Sequence, residues 1–290
     1  MPPFPRKIKK WLPARKKNTH KTDFGRLFIL AGSRGMSGAP TLAAIGALKT
    51  GAGLVTVGLP ESIYPLVLPN VLEAMGKALD ETSLGTLSST SETAIHDFLK
   101  TQDVFAVGPG LSQCPETQKV IRKVVNASSK PVLLDADGIN AFVGFGAELW
   151  KENRSLILTP HPGEFSRLFK TTVLTSDADR ISAAKKAAKQ THAIVVLKGH
   201  HTVVASPGGE CYVNPTGNPG LAKGGSGDLL FGMIAGLLAQ KLAPFDAAQA
   251  GVYLHGLAAD LAVREFGEVS LLATDVARFI PQALIKIRGI

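Results

Sequence analysis

Cysteine is scarce: the 290 residues contain only Cys114 and Cys211. They lie far apart without CxxC spacing, which excludes a disulfide framework and a cysteine zinc knuckle and points to a reducing, cytoplasmic setting. Long apolar runs are also missing. The longest, such as 229–239 and 28–31, are broken by glycine or stop well short of the roughly 20 residues a bilayer span needs, so no membrane helix is expected. Aromatic residues make up 6% of the chain, and none interleave with basic residues in the body in the way a nucleic-acid surface requires. Acids are absent until Asp23. The net charge of +9 therefore resides almost wholly in Arg6, Lys7, Lys9, Lys10, Arg15, Lys16, Lys17 and Lys21, and the remainder is essentially neutral. The leader containing them has no apolar segment of secretory type, so residues 1–19 are expected to form a basic, solvated, flexible arm.

What is there is an alternation of strand and helix beginning at Arg26. Apolar, glycine- or proline-terminated strands are expected at 26–32, 53–60, 103–110, 131–138, 155–164 and 193–199. Helices are expected at 39–51, 115–127, 177–190, 226–240 and 245–267, the last with His255 at helical spacing, and at 274–285. Continuous apolar strands separated by helices indicate a mostly parallel sheet covered on both faces, a three-layer α/β fold. Residues 202–213 alternate around Pro207-Gly208-Gly209 and predict an edge hairpin. With no internal repeat or linker, only a Ser/Thr-rich loop at 81–93, residues 20–290 read as one domain.

Ligands of open α/β sheets sit beyond the carboxyl ends of the strands, and every glycine-rich or charged motif falls there: GSRGMSGA (32–39), VGPGLSQ (107–113), DADGIN (135–140), TPHPGE (159–164), KGHHT (198–202) and GGSGD (224–228). The stretch NPTGNPGLAKGGSGDLLFGM (214–233) matches no Walker A loop, because Lys223 precedes the glycines. It lacks the third glycine of the dinucleotide fingerprint, and Asp228 stands where a nucleophile elbow needs glycine. Its glycines instead let the main-chain N–H groups of Gly224, Gly225, Ser226 and Gly227 turn toward one point at the positive end of a helix, an anion cradle. Asp228 in the first turn would be out of place beside phosphate unless it accepts a proton from an attacking hydroxyl; its other reading is a helix cap. Glu164 reads as a first-turn acid or as indirect support for Mg²⁺, and His161 as structural or a substrate contact. Adjacent His200 and His201 are placed on a strand, pointing to opposite faces, so a shared ion is not expected. Asp135 and its neighbours read as a polar strand end, with a Mg²⁺ contact the weaker option.

Taken in order, these motifs, together with HKTDFGRLFILAGSRGMSGAPTLAAIGALKTGAGLVTVGLPES (20–62), resemble the ribokinase-like family of ADP/ATP-dependent NAD(P)H-hydrate dehydratases. The likeness runs from His20 to about Asp260. It implies hydrate-binding positions at Ala39, Gly110, His161 and Asp228, with Asp228 the catalytic acid. It further implies nucleotide binding by Lys198, Gly199, His200, His201, Thr202 and Gly227, ADP or ATP as co-substrate, Mg²⁺, and a homotetramer, for which the small-residue helices offer close packing. The chain departs from the family pattern at Met36, where an aromatic residue is common, and at Ser112, where glycine is common. The resemblance implies the stand-alone bacterial type acting on the S epimer with ADP, a separate epimerase serving the same substrate, and no membrane or nucleic-acid partner. The competing readings are a ribokinase-like kinase of a thiazole or pyrimidine alcohol and a nucleotide- or nucleic-acid-binding module using the arm.

Overall fold

The computed structural model describes residues 3–150, 155–172 and 176–289. In chain order its elements are α1 (Pro3–Trp11), β1 (Arg26–Leu30), α2 (Gly38–Thr50), β2 (Leu54–Pro60), α3 (Tyr64–Val67), β3 (Met75–Leu79), α4 (Glu92–Leu99), β4 (Val104–Val107), α5 (Pro115–Ala127), β5 (Val132–Leu134), α6 (Asp137–Asn140), α7 (Gly146–Leu149) and β6 (Leu156–Leu158). The second half adds α8 (Pro162–Phe169), α9 (Asp177–Thr191), β7 (Ile194–Leu197), β8 (Val203–Ala205), β9 (Cys211–Val213), α10 (Ser226–Ala239), α11 (Pro244–Ser270) and α12 (Ala273–Arg288).

The strands form one sheet in the order β3-β2-β1-β4-β5-β6-β7-β8-β9. Neighbours from β3 to β7 run parallel, and β8 and β9 turn back antiparallel at one edge. Because successive side chains alternate across a strand, Leu27 and Ile29 enter one core with α2, α10, α11 and α12. Phe28 and Leu30 enter the other with α4 and α5, and α9 covers β7 and β8. The three-layer α/β expectation holds, including the edge hairpin. Strand order reverses between β1 and β4, which makes their carboxyl ends the topological switch point where such sheets open a crevice. No described helix is long and apolar enough to cross a membrane.

Helices α2 and α10 cross almost backbone to backbone. A Cβ on Gly232 would lie 1.9 Å from the Ala43 carbonyl oxygen, and one on Gly46 would lie 2.4 Å from that of Leu229. The small residues thought available for subunit contacts thus pack inside the chain. Their contact fixes the first turns of both helices relative to each other.

The N-terminal arm departs from expectation over residues 3–12; residues 1–2 lie outside the described residues. Phe4, Ile8, Trp11 and Leu12 form an apolar stripe at helical spacing, and Ile8 is fully buried. Phe4 stacks on Tyr212 with centroids 4.1 Å apart, while Arg6, Lys7, Lys9 and Lys10 stay in solvent. The charges are solvated as expected, but the backbone is a docked helix. Ile8→Ala should lower the unfolding free energy by about 2–5 kcal/mol in a urea titration; an unchanged midpoint would show that α1 contributes nothing to the fold.

Candidate active site

Helix α10 begins at Ser226 after a turn in which Gly225 adopts φ 88°, a left-handed conformation that favours glycine. The N–H groups of Gly224, Gly225, Gly227 and Asp228 have no main-chain acceptor among the described residues, whereas that of Ser226 donates to the Lys223 carbonyl at 3.4 Å. These are the orphan donors of a helix N-terminus, where the dipole also favours an anion. Asp228 sits half-buried in this first turn. Burial and the charge of Asp135, opposed by Lys198, push its carboxyl up to about 6. The residue at the N-cap of α10 is Gly225, which has no side chain with which to cap the helix.

Beside it lies a buried ionic cluster. Lys198, at the carboxyl end of β7, places Nζ 2.5 Å from Oδ1 of Asp135 at the end of β5 and 3.9 Å from Oε2 of Glu164 in α8. Burial disfavours the Lys198 charge, but Asp135 and Glu164 outweigh it and hold the proton more tightly than usual. Burial pushes Glu164 up to about 7, with Lys198 pulling down and Asp135 pushing up. Glu164 also caps its own helix. Its Oε2 accepts the His161 N–H at 2.8 Å, Oε1 lies 3.2 Å from His161 Nε2, and His161 Nδ1 accepts from the Gly163 N–H at 3.0 Å. His161 is exposed on the outer side of this cluster, lowered in pKa first by its partial burial and then by the nearby cations Lys198 and Arg167. The reading of TPHPGE as a strand end with an acid in a helix's first turn is thus realised.

At the switch point, the loops after β1 and β4 are braced together: Gly32 N–H donates to the Pro109 carbonyl at 2.8 Å, and Ser33 Oγ donates to that of Gly110, also at 2.8 Å. A Cβ on Gly110 would lie 3.3 Å from Cβ of Ala39 and 2.9 Å from that of Met36, so Ala39, Gly110 and Met36 adjoin one another. Leu42, one turn beyond Ala39, abuts Gly225, which makes the switch-point loops and the anion cradle parts of one surface.

The segment 198–202 divides. Lys198 points into the carboxylates, while Gly199, His200 and His201 form an exposed turn and Thr202 Oγ1 donates to the Gly199 carbonyl at 2.9 Å. Arg180 of α9 holds this turn through the carbonyls of Leu197 and Lys198, each at 3.3 Å, and of His200. His201 Nδ1 lies 2.8 Å from Asp177 Oδ2. The two histidines are not on a strand as expected, and their rings lie 3.8 Å apart. Even so, no three His, Cys, Asp or Glu side chains among the described residues converge on a metal position.

Helix α11 supports the NPTGN stretch. Asn214 Nδ2 donates to the Val252 carbonyl at 3.1 Å and Thr216 Oγ1 to that of Tyr253 at 2.9 Å. Asp260 accepts from the Gly217 N–H at 3.0 Å and from Asn218 Nδ2 at 3.1 Å. His255, 6% exposed, lies against the Ser226 backbone, and burial lowers its pKa to about 4, which keeps it neutral. Sequence reasoning missed Asp135 as a central member and Asp260 as an anchor. An acid closing an apolar strand and an acid on the inner face of a helix were the available signals.

A carboxylate in the first turn of a buried helix, over free N–H groups at the carboxyl ends of a mostly parallel sheet with an antiparallel edge, defines a ribokinase-like α/β protein. A family model described as NAD(P)H-hydrate dehydratase matches residues 27–282, and the chain belongs to that family. It is 43% identical over 273 residues to a bifunctional NAD(P)H-hydrate repair enzyme of Moorella thermoacetica, covering 94% of this chain and 52% of that one. The chain thus spans about half the length of such bifunctional relatives. It is 37% identical to the ADP-dependent (S)-NAD(P)H-hydrate dehydratase of Bacillus subtilis, covering 95% of this chain and 94% of that one. The crystal structure of the ADP/ATP-dependent NAD(P)H-hydrate dehydratase of B. subtilis, co-crystallised with ATP/Mg²⁺, superposes with a TM-score of 0.83 at 34% identity, covering 98% and 97% of the two chains. A ribokinase-like superfamily protein of Enterococcus faecalis superposes with a TM-score of 0.82 at 25% identity, covering 98% and 95%.

Proposed function

We propose that this chain dehydrates the S epimer of NAD(P)H hydrate to NAD(P)H while converting ADP to AMP and phosphate. The observation that carries the reading is Asp228: a half-buried carboxylate, raised toward neutrality, at the free N–H groups of α10. Asp228 takes the proton of the ring C6 hydroxyl as that oxygen attacks the terminal phosphoryl of ADP, forming the new O–P bond while AMP departs. The N–H groups of Gly224, Gly225 and Gly227 meet the charge on the transferring group. Phosphate is a far better leaving group than hydroxide. The ring nitrogen's electron pair expels it from C6, and loss of the C5 proton restores the dihydronicotinamide. Ala39, Gly110 and His161 orient the hydrate, and the exposed turn Gly199–Thr202 carries the nucleotide.

Among the described residues there is no protein-only metal cage; Asp135 and Glu164, which flank Lys198, would be the carboxylates to support a Mg²⁺ brought by the nucleotide. Such an ion supplies charge neutralisation of the phosphates when bound. A cytoplasmic setting, homotetrameric assembly and supply of the S epimer by an epimerase belong to the same proposal.

Adding ADP to NADH hydrate should restore the absorbance of reduced nicotinamide with matching AMP release. A stable phosphoester without recovered NADH would overturn the reading. The acid limb gives a second check. Because the folded carboxyl of Asp228 is raised to about 6, the ionised base is present above that pH and disappears below it, so kcat/KM should fall about tenfold per pH unit on the acid side. An acid limb at the ordinary value of 3.8 would remove Asp228 from the role of base.

A further inference from the structure

The carboxyl ends of β4, β5 and β6 are tied by a chain of polar contacts that ends on an exposed arginine. Asp137, at the start of α6, accepts the Ser112 N–H through Oδ2 at 2.8 Å and Nδ2 of Asn140 through Oδ1 at 3.2 Å. That fixes which way the Asn140 amide faces, and its Oδ1 accepts Nη2 and Nε of Arg167 at 3.0 and 3.3 Å. Asn140 thereby grips one edge of the guanidinium. The opposite edge is open: Arg167 is exposed, and among the described residues it forms no ion pair. Its Nη1 lies 3.6 Å from the point a Cβ would occupy on Gly163, and Cε1 of His161 lies 2.9 Å from that same point. A guanidinium held by a neutral amide, and not by an acid, thus stands beside the ring implied to contact the hydrate.

We propose that Arg167 binds the diphosphate of the dinucleotide hydrate, with Asn140 the residue that positions it. The inference rests on the hydrate reading of this site. Charge complementarity selects the ligand: the open edge of the guanidinium is a planar pair of donors matched to phosphate oxygens. Asn140 orients that charge without neutralising it. The hydrate's two nucleotide halves are joined by a diphosphate, which such a fork receives. ADP carries a diphosphate too, and the topology separates the two. In the strand order β1-β4-β5-β6-β7, Arg167 leans from β6 toward β5 and β4, the side on which Gly110 and Ala39 lie. The exposed turn 199–202, proposed to carry ADP, follows β7 on the other side.

The test is calorimetric binding of NADH hydrate, without ADP, to the wild type and to Arg167→Gln. The variant should bind the hydrate about ten- to hundredfold more weakly, the range for a charged group that loses its hydrogen-bond partner. Its melting temperature and its ADP affinity should not change. A second comparison uses the hydrate of reduced nicotinamide riboside, which has no phosphate; on it the kcat/KM of the two proteins should coincide, which a merely structural role would not produce. Asn140→Ala, which releases the guanidinium but keeps its charge, should weaken NADH hydrate by a smaller factor and ADP not at all. Equal hydrate affinity of the wild type and Arg167→Gln overturns the inference, as does a penalty that persists on the riboside. If Arg167→Gln does not fold, full hydrate affinity in Asn140→Ala overturns it. ADP-driven recovery of NADH by the wild type, measured separately, reports on the parent reading, which can hold while this inference fails; a wild type that binds no hydrate removes both.

Discussion

Asp228→Asn should still bind ADP while turnover falls roughly 10²- to 10⁴-fold, the usual range for a lost acid or base. Asparagine has nearly the same shape, so the first turn of α10 and the free N–H groups of Gly224, Gly225 and Gly227 persist. The substitution also removes a negative charge from beside the phosphates. Calorimetry should therefore show ADP affinity equal to or above that of the wild type. What is lost is the acceptor for the hydroxyl proton, so AMP formation in a single turnover should slow by the same factor as kcat. Retained activity would reduce Asp228 to a residue of the helix start.

The second large effect is expected far from the chemistry. Gly232→Ala puts a methyl group 1.9 Å from the Ala43 carbonyl oxygen, and neither partner is a side chain that can turn away. Helices α2 and α10 must separate, at a cost of about 3 kcal/mol or more. The same movement displaces Asp228 at the head of α10 from Ala39 at the head of α2. A shift of about 1 Å between reacting groups can cost about 10²-fold in rate. Thermal stability and kcat should fall together. Gly208→Ala, which meets nothing closer than Ser206 Oγ at 3.7 Å, should change neither. A Gly232→Ala protein with unaltered melting and turnover would mean that the helices do not touch as described.

Much of this architecture was legible because burial writes itself into sequence. β1, β2 and β4–β7 lie between covering layers and so are nearly continuous in apolar residues, and α5 could be bounded from Pro115 and its apolar spacing. β3 was not legible: as an edge strand, MGKAL (75–79) is largely open to solvent and carries no apolar run. α1 was obscured by its prolines, which a first helical turn tolerates, and by lysines that drew attention from the Phe4–Ile8–Leu12 stripe. At the site, GGSGD was readable because few other arrangements need so many glycines before one acid. Asp135 was not, since its significance comes from Lys198, 63 positions away, and proximity across a sheet leaves no local pattern. For the same reason Lys198 was grouped with the exposed turn that follows it.

The seat of α1 has a consequence for the order in which the chain assembles. Phe4 rests on Tyr212 and Tyr253, and the Pro13 carbonyl is held by Arg288, 275 positions downstream. None of these partners exists when α1 leaves the ribosome. Helix α1 thus cannot take its seat until the edge hairpin, α11 and α12 are available to receive it, and its contacts are among those of greatest sequence separation in the chain.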